Sequence, residues 1–272
     1  MRIRQVFLLS LLLGAVIGLL ATVLFASQQL TSLQAARTAA GDAQLLAAML
    51  RLPEKLNVER AWINPRLASA NAATAEELAA LKKTTGSSDE ALAKARGLAQ
   101  LREDVAALDS IEQKLRSLRG TALDAIAQPK TARSEAIMRD YVPQMFTVQE
   151  ATGSHVEVIV RRIAAANPAV GQAARLAVTG WDLRDWAGRA TTTFIRTIAT
   201  KQPMAGEPAE ALAAFKGRIE RIWSTAKLAA AEIDQKPIFA AMTEVENGYW
   251  ARGGELYTSQ VAPNRGKVLE LD

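Results

Sequence analysis

The fold is decided by residues 89–127, which read DEALAKARGLAQLREDVAALDSIEQKLRSLRGTALDAIA. This stretch carries the clearest periodicity in the chain, because apolar side chains recur every three or four residues and form one stripe on a helix. It predicts a single helix of roughly 55 Å that ends at Gln128 and Pro129. A helix of that length without internal caps is typical of a bundle or a coiled coil. The stripe consists of Leu92, Leu98, Leu101, Val105, Leu108, Leu115, Leu118, Ala122 and Ile126.

Proline and glycine clusters divide the rest of the chain into further helices. The helix that runs out of the N-terminal segment is expected to bend near Pro53. Ser87 and Ser88 are expected to cap the long helix. The other predicted helices cover residues 54–71, 76–83, 134–166, 168–199 and 209–235, and a last one starts near residue 237.

Composition favours helices throughout. Hydrophobic residues make up 49% of the 272 residues and charged residues 22%, so most of the chain is expected to pack. Runs of Val, Ile, Thr and Tyr that would form strands are scarce. We therefore predict an all-α fold, with an N-terminal transmembrane helix followed by an elongated antiparallel helical bundle. Two stacked four-helix bundles are one form of it, because ERAWINPRLA (59–68) and RDWAGRATTTF (184–194) are loosely similar.

The predicted membrane helix covers Val6 to Ala26, VFLLSLLLGAVIGLLATVLFA, which contains no charge. At about 1.5 Å per residue, a helix of this length crosses the roughly 30 Å hydrocarbon core of a bilayer. A cleaved signal peptide has a shorter apolar core and small residues before the cleavage site. Here Leu24 stands where a small residue belongs, so an uncleaved anchor is favoured.

Charge asymmetry gives the orientation of this anchor. Arg2 and Arg4 precede it, whereas Ser27 to Ala36 carries no Lys or Arg, so the N-terminus is predicted to be cytoplasmic. Residues 1–5 are then a cytoplasmic stub, 6–26 the membrane helix and 27–272 an exported domain in the periplasm, anchored in the inner membrane. The final residues, KVLELD, resemble the start of another amphipathic helix, and we expect a second transmembrane helix to follow.

The residue inventory argues against an enzyme. There is no Cys and a single His, His155, which we interpret as a packed polar residue rather than a metal ligand. Glycine-rich phosphate loops and nucleophile elbows are missing, so no catalytic residue, metal site or cofactor is predicted. The net charge of +5 comes from interspersed signs rather than a basic stripe, which argues against nucleic acid as a partner.

The densest group of polar and aromatic residues is WDLRDWAGR, residues 181–189. On a helix, Asp185 and Arg189 are one turn apart, and Trp181 lies one turn before Arg184. Buried arginines need anions, which predicts either a small anionic ligand or internal partners such as Glu59, Asp182 and Asp185. An equivalent set lies in the first half of the chain. The candidate ligand-binding residues are Glu59, Arg60, Trp62, Trp181, Arg184, Asp185 and Arg189.

One charged stub, one membrane helix and a long helical region together resemble bacterial transmembrane receptors: methyl-accepting chemotaxis proteins, sensor histidine kinases and membrane diguanylate cyclases. LAVTGWDLRDWAGRATTTFIRTIATKQPMAG (176–206) and LAAFKGRIERIW (212–223) look like a pattern of helical sensor regions in such receptors. LNVERAWINPRLA (56–68) is similar to the Glu-Arg motif of nitrate/nitrite-sensing bundles. The resemblance implies a sensor region that forms a homodimer and turns ligand or partner binding into helix displacement.

A second class of function fits the same residues. An anchored adaptor could use the bundle to hold other envelope proteins and bind no small molecule. The sequence leaves the sensor and the adaptor open, and it does not identify a ligand.

Overall fold

The computed structural model describes residues 2–199, 203–233, 236–251 and 266–268; side chains are described from residue 27 on, except at 195, 196, 198 and 199. The described residues are almost entirely helical, without a strand, which confirms the all-α prediction. An isolated bridge joins Pro203 to Val268. The helices are α1 (Arg2–Ala68), α2 (Ala75–Leu98), α3 (Arg102–Ile126), α4 (Glu135–Ala166), α5 (Pro168–Ala199), α6 (Glu207–Ile233) and α7 (Lys236–Val245), and a π-helical turn follows at Glu246–Ala251.

Both predicted membrane elements lie mainly outside the residues whose side chains are described, although the backbone of residues 6–26 is part of α1. The side chains of Val6–Ala26 are not among those described, and neither are residues 269–272 at the predicted start of a further helix. Among the residues whose side chains are described, no helix is long and apolar enough to cross a membrane.

Helix α1 is unbroken, so the predicted division near Pro53 is wrong. Pro53 and Pro65 both lie inside this helix. A proline in a helix removes one backbone hydrogen bond and crowds the preceding turn. Side chains on both sides of Pro53 are fully buried and hold the helix in place: Met49, Leu52, Leu56 and Ile63.

The long apolar stripe is divided between two helices, so the predicted single helix over residues 89–127 is also wrong. Ala99 and Leu101 have extended backbone angles, and α2 and α3 form a hairpin around them. Across this hairpin Arg96 lies 2.8 Å from Glu112, and Arg119 lies 2.7 Å from Asp89. Folding back lets both halves of the stripe pack within one bundle, whereas a straight helix would leave part of it in water.

The start of α2 lies well before the predicted cap at Ser87 and Ser88, which are interior residues of this helix. Its N-cap is Thr74, whose hydroxyl accepts from the Glu77 backbone N–H at 3.2 Å. The Glu77 carboxylate accepts in return from the Thr74 backbone N–H at 2.9 Å. This reciprocal capping box satisfies two helix-end donors and fixes where α2 begins.

The chain divides into two compact units, Met1–Gly171 and Gln172–Asp272. In the first unit, α1 to α4 form an antiparallel four-helix bundle. The contacts fix the directions, because α4 meets α1 through Gln149 and Asn57 near one end and through Arg162 and Asp42 near the other. The largest fully buried side chains of this core are Leu45, Met49, Leu52, Leu56, Ile63, Leu67, Leu108, Ile111, Leu115, Ile126, Tyr141 and Met145.

The second unit has its own small apolar core between α5, α6 and the segment that follows. Leu183 on α5 packs with Ile219, Trp223 and Ala226 on α6. Met242, Val245 and Trp250 are among the partly buried residues against this core. The stacking of two four-helix bundles stays a prediction.

The ends of α1 and α3 in the first unit are held by one buried side chain, Arg133. Its guanidinium donates six hydrogen bonds of 2.6–3.0 Å to backbone carbonyls. The last carbonyl groups of a helix have no intrahelical N–H donors, so Arg133 supplies hydrogen-bond donors to the C-terminal ends of both α1 and α3. The acceptors are the carbonyl oxygens of Arg66, Leu67, Ser69, Asn71, Ala125 and Gln128.

We expect Arg133→Gln to lower the free energy of unfolding by about 3 kcal/mol or more, because the shorter amide leaves several helix-end carbonyls without a donor. Urea unfolding followed by circular dichroism measures the loss. Lys130→Gln, an exposed change in the same connection, is the control and should cost at most about 0.5 kcal/mol. Equal stability of the two variants would contradict this role of Arg133.

Candidate functional site

The predicted site residues fall into two groups on separate units. Glu59, Arg60 and Trp62 lie on α1 in the first unit, and Trp181, Arg184, Asp185 and Arg189 lie on α5 in the second. Neighbouring residues on a helix face different directions, so Glu59, Arg60 and Trp62 differ in how far they are buried. Glu59 is fully buried and Arg60 is buried, whereas Trp62 is 42% exposed.

Glu59 is bound by Arg119, which was not among the predicted site residues. Arg119 on α3 donates from Nε and Nη2 to the two Glu59 carboxylate oxygens, both at 2.8 Å. Its Nη1 donates to Asp89 at 2.7 Å, so Arg119 joins α1, α2 and α3. Burial by itself would lower the pKa of Arg119, but the hydrogen bonds and charges of Glu59 and Asp89 outweigh burial and raise it. The guanidinium therefore stays charged and is committed to this network.

Arg60 makes a different contact from its neighbour. Its guanidinium carbon lies 4.3 Å from the centroid of the Phe146 ring on α4, a cation–π contact in a buried place. Trp62 lies on the exposed side of α1, where the guanidinium of Arg66 is 5.9 Å from its ring centroid. The structure thus does not bring Glu59, Arg60 and Trp62 around one shared cavity.

Close to this network lies Tyr141, which is buried while its hydroxyl has no hydrogen-bond partner among the described residues. Burial raises the pKa of Tyr141, the negative charge of Glu59 raises it further, and Arg119 and Arg60 oppose both effects. The phenol is consequently held neutral, with an unpaired polar atom in the core.

A second polar network joins α1, α3 and α4. Arg162 on α4 donates to both oxygens of Asp42 on α1, at 2.7 and 2.8 Å, and to Asp104 on α3 at 2.9 Å. Nε2 of His155 lies 2.9 Å from the other oxygen of Asp104, so the single histidine is a packed polar residue as expected. The hydrogen bonds that Arg162 donates to Asp42 raise its pKa, burial lowers it, and the hydrogen bonds to Asp104 and the charges of both carboxylates add to the rise. Glu103 completes the cluster at 3.1 Å from Arg162.

In the second unit, the predicted helical pair is present. Arg189 Nε donates to one oxygen of Asp185 at 2.8 Å, and Asp185 is only 6% exposed. The other Asp185 oxygen has no hydrogen-bond partner among the described residues. Trp181 is half-buried and Arg184 is exposed on the same helix.

The indole of Trp186 is the centre of an aromatic and cationic group in this unit. The guanidinium carbon of Arg218 on α6 lies 3.8 Å from its ring centroid, and that of Arg189 lies 4.8 Å away. The ring of Phe215 is 5.6 Å from it, centroid to centroid. Two arginines thus stack on one half-buried tryptophan.

Next to Trp186 a groove runs between α5 and α6, which we name the α5–α6 groove. This open groove has a volume of about 690 Å³ and is lined by Asp182, Trp186, Arg218, Arg221, Ile222 and Thr225, among others. Trp186 lies within the WDLRDWAGR motif but was not predicted to be a site residue, and neither were Arg218 and Arg221. Their i,i+3 spacing on a predicted helix was the signal that could have found them.

In the described ranges, no three His, Asp or Glu side chains lie together so that they could hold a metal ion. Comparisons of the chain with known protein families, with curated proteins and with solved structures gave no match.

Tyr141→Phe is expected to leave the stability at neutral pH unchanged or raised, because it removes a buried hydroxyl without a partner. The folded-state pKa of Tyr141 lies above its unfolded value, so its contribution is complete below pH ~10 and is lost as the pH rises above that value. Unfolding curves at neutral and alkaline pH should show a smaller alkaline loss in the variant. A loss of more than about 1 kcal/mol at neutral pH would instead reveal a bonded hydroxyl.

Arg162→Gln should lower the free energy of unfolding by roughly 3 kcal/mol, because the carboxyl groups of Asp42 and Asp104 would lose the guanidinium that lies between them. The adjacent exposed residue provides the matched control, Arg161→Gln, with an expected change within about 0.5 kcal/mol. Thermal and urea unfolding measure both variants. Losses of similar size in the two would mean that the three-helix network contributes nothing specific.

Proposed function

We propose that this chain is the extracytoplasmic sensor region of a membrane-anchored bacterial receptor, which transmits binding as a displacement of helices. The observation that carries the proposal is the continuity of α1 from Arg2 to Ala68. One helix contains both the apolar run Val6–Ala26 and the longest buried stripe of the bundle. A change in the bundle would therefore reach the apolar run through a single rigid element.

The length of α1 suits this role. Its 67 residues correspond to roughly 100 Å of helix, far more than the bundle needs. An α-helix resists compression because each turn is hydrogen-bonded to the next, so a shift at one end moves the other end. Interface helices in receptors and allosteric proteins move by about 1–2 Å, which a continuous helix can transmit.

The two ionic networks hold α1 at two levels of the bundle. Asp42 is joined to Arg162 and Glu59 to Arg119, and the two acidic residues are 17 positions apart on α1. A sliding movement of α1 would break these bidentate contacts, and packed cores change between discrete arrangements rather than continuously. This favours a bundle with defined positions of α1 over one that deforms gradually.

Anchoring and orientation complete the proposal. The uncharged run and the preceding Arg2 and Arg4 support an uncleaved inner-membrane helix with residues 27–272 in the periplasm. By similarity to the receptors whose patterns the sequence resembles, the chain would act as a homodimer. A small anion is the proposed ligand, because the second unit carries arginines at Trp186.

The alternative is an anchored adaptor that binds another envelope protein instead of a small molecule. It is favoured by Val58 and Trp62, which lie one turn apart on α1 and are 45% and 42% exposed. Exposed aromatic residues are enriched where proteins bind each other. Substituting both by Ser would impair an adaptor and leave small-molecule binding intact.

Fusions at Asp272 test the proposed topology. We expect an alkaline phosphatase fusion to be active and a fluorescent protein fusion to be dark, because the positive-inside rule places Asp272 in the periplasm. The same fusions to a chain lacking residues 6–26 serve as the control and should reverse the pattern. A fluorescent and phosphatase-inactive fusion of the full chain would place this region in the cytoplasm and overturn the proposal.

A further inference from the structure

The geometry points to the α5–α6 groove as a binding site for an organic monoanion that combines one carboxylate with a flat apolar body. This inference names a ligand for the proposed sensor and in that sense rests on the proposed function. The groove joins exposed cations to a stacked indole on two facing helices, and those two features together define the ligand class.

The cations of the groove are Arg218 and Arg221, one turn apart on α6 and both exposed. Among the described residues, neither guanidinium forms an ion pair with a carboxylate. Arg119 and Arg162 of the first unit contrast with them, because their donors are already bound by Glu59, Asp89, Asp42 and Asp104. Guanidinium groups present planar pairs of N–H donors that match a carboxylate, so the two groove arginines retain the capacity to bind one.

The apolar part of the ligand would contact Trp186 and Ile222. Both are half-buried in the groove wall, one on α5 and the other on α6. The Arg218 guanidinium stacks on Trp186 at 3.8 Å, which restricts its orientation before any ligand arrives. A ligand with a flat body can lie against the indole edge while its carboxylate meets the guanidinium N–H groups.

The charge and the volume of the α5–α6 groove further limit the class of ligand that it can bind. The two groove arginines against the carboxylate of Asp182 leave a formal charge of +1 on the lining, which suits a monoanion better than a dianion or a phosphate ester. The volume of about 690 Å³ lies within the range of small-molecule sites and has room for a ring with a short chain. A ligand bound to Arg221 on α6 and to Trp186 on α5 would also fix the spacing of those two helices.

Benzoate is the probe for this site, with benzamide as its uncharged counterpart and acetate as the charge without the ring. Titrations of the full 272-residue chain would follow the indole N–H resonances of its five tryptophans by NMR. Trp186→Phe identifies the resonance of Trp186. We expect benzoate to shift that resonance with a Kd of about 1 mM or below, and benzamide and acetate to bind at least about tenfold more weakly.

Arg221→Gln and Arg218→Gln should each weaken benzoate binding by about tenfold or more, with circular dichroism unchanged because both side chains are exposed. Arg161→Gln on α4 is the matched control and should bind like the original chain. The site is overturned if benzoate causes no shift of Trp186 up to about 10 mM. It is equally overturned if benzamide or acetate binds as well as benzoate, or if Arg161→Gln lowers the affinity as much as the groove variants.

The fusions at Asp272 separate this inference from the proposed function. Benzoate binding by a chain whose fusion reports the cytoplasm would leave the site standing and remove the receptor. A periplasmic fusion with no response of Trp186 to benzoate would remove the site and leave the receptor topology intact.

Discussion

The structure of the first unit depends on the burial of one face of α1. Six side chains on that face are at most 2% exposed: Leu45, Met49, Leu52, Leu56, Ile63 and Leu67. Burying each of them favours folding by about 1.5–3 kcal/mol, or roughly 9–18 kcal/mol together, before the entropy of ordering is counted. A proline inside a helix costs about 3 kcal/mol, so this burial outweighs the penalty at Pro53. The helix therefore remains continuous where the local sequence predicts a break.

The competition between local sequence signals and burial of apolar side chains also explains which parts of the fold could be predicted from the sequence. Periodicity identified the core residues Leu92, Leu108 and Leu115 correctly, because the spacing of apolar side chains fixes the buried face. It could not reveal the hairpin at Ala99–Leu101, because the N-cap of α3 there uses no side-chain hydrogen bond. The start of α2 could have been predicted, since Thr74 and Glu77 have the spacing of a capping box. Local sequence patterns therefore predicted that these segments are helical, whereas packing against α1 and α4 determines where the chain turns between them.

The polar pairs also differ in whether they could be predicted from the sequence. The Asp185–Arg189 pair followed from the sequence, because helical spacing alone brings residues four apart together. Arg119 and Glu59 are 60 positions apart, and Arg162 and Asp42 are 120 apart, so only the folded bundle can pair them. A motif such as Glu-Arg-Ala-Trp therefore identifies residues that need partners, but the topology selects those partners.

The arginines differ between the two units in how far their donors are already bound, and this difference bears on where we propose a ligand site. In the first unit, Arg119, Arg133 and Arg162 are each saturated by carboxylates or carbonyls, and binding a ligand there would mean breaking those bonds. In the second unit, Arg218 and Arg221 retain their donors at the surface, so a ligand would exchange only water for its carboxylate. Such an exchange gives modest affinity and fast release. A sensor that must follow changing concentrations benefits from both properties, which is why the exposed groove, rather than the buried networks, suits the sensing role proposed for this chain.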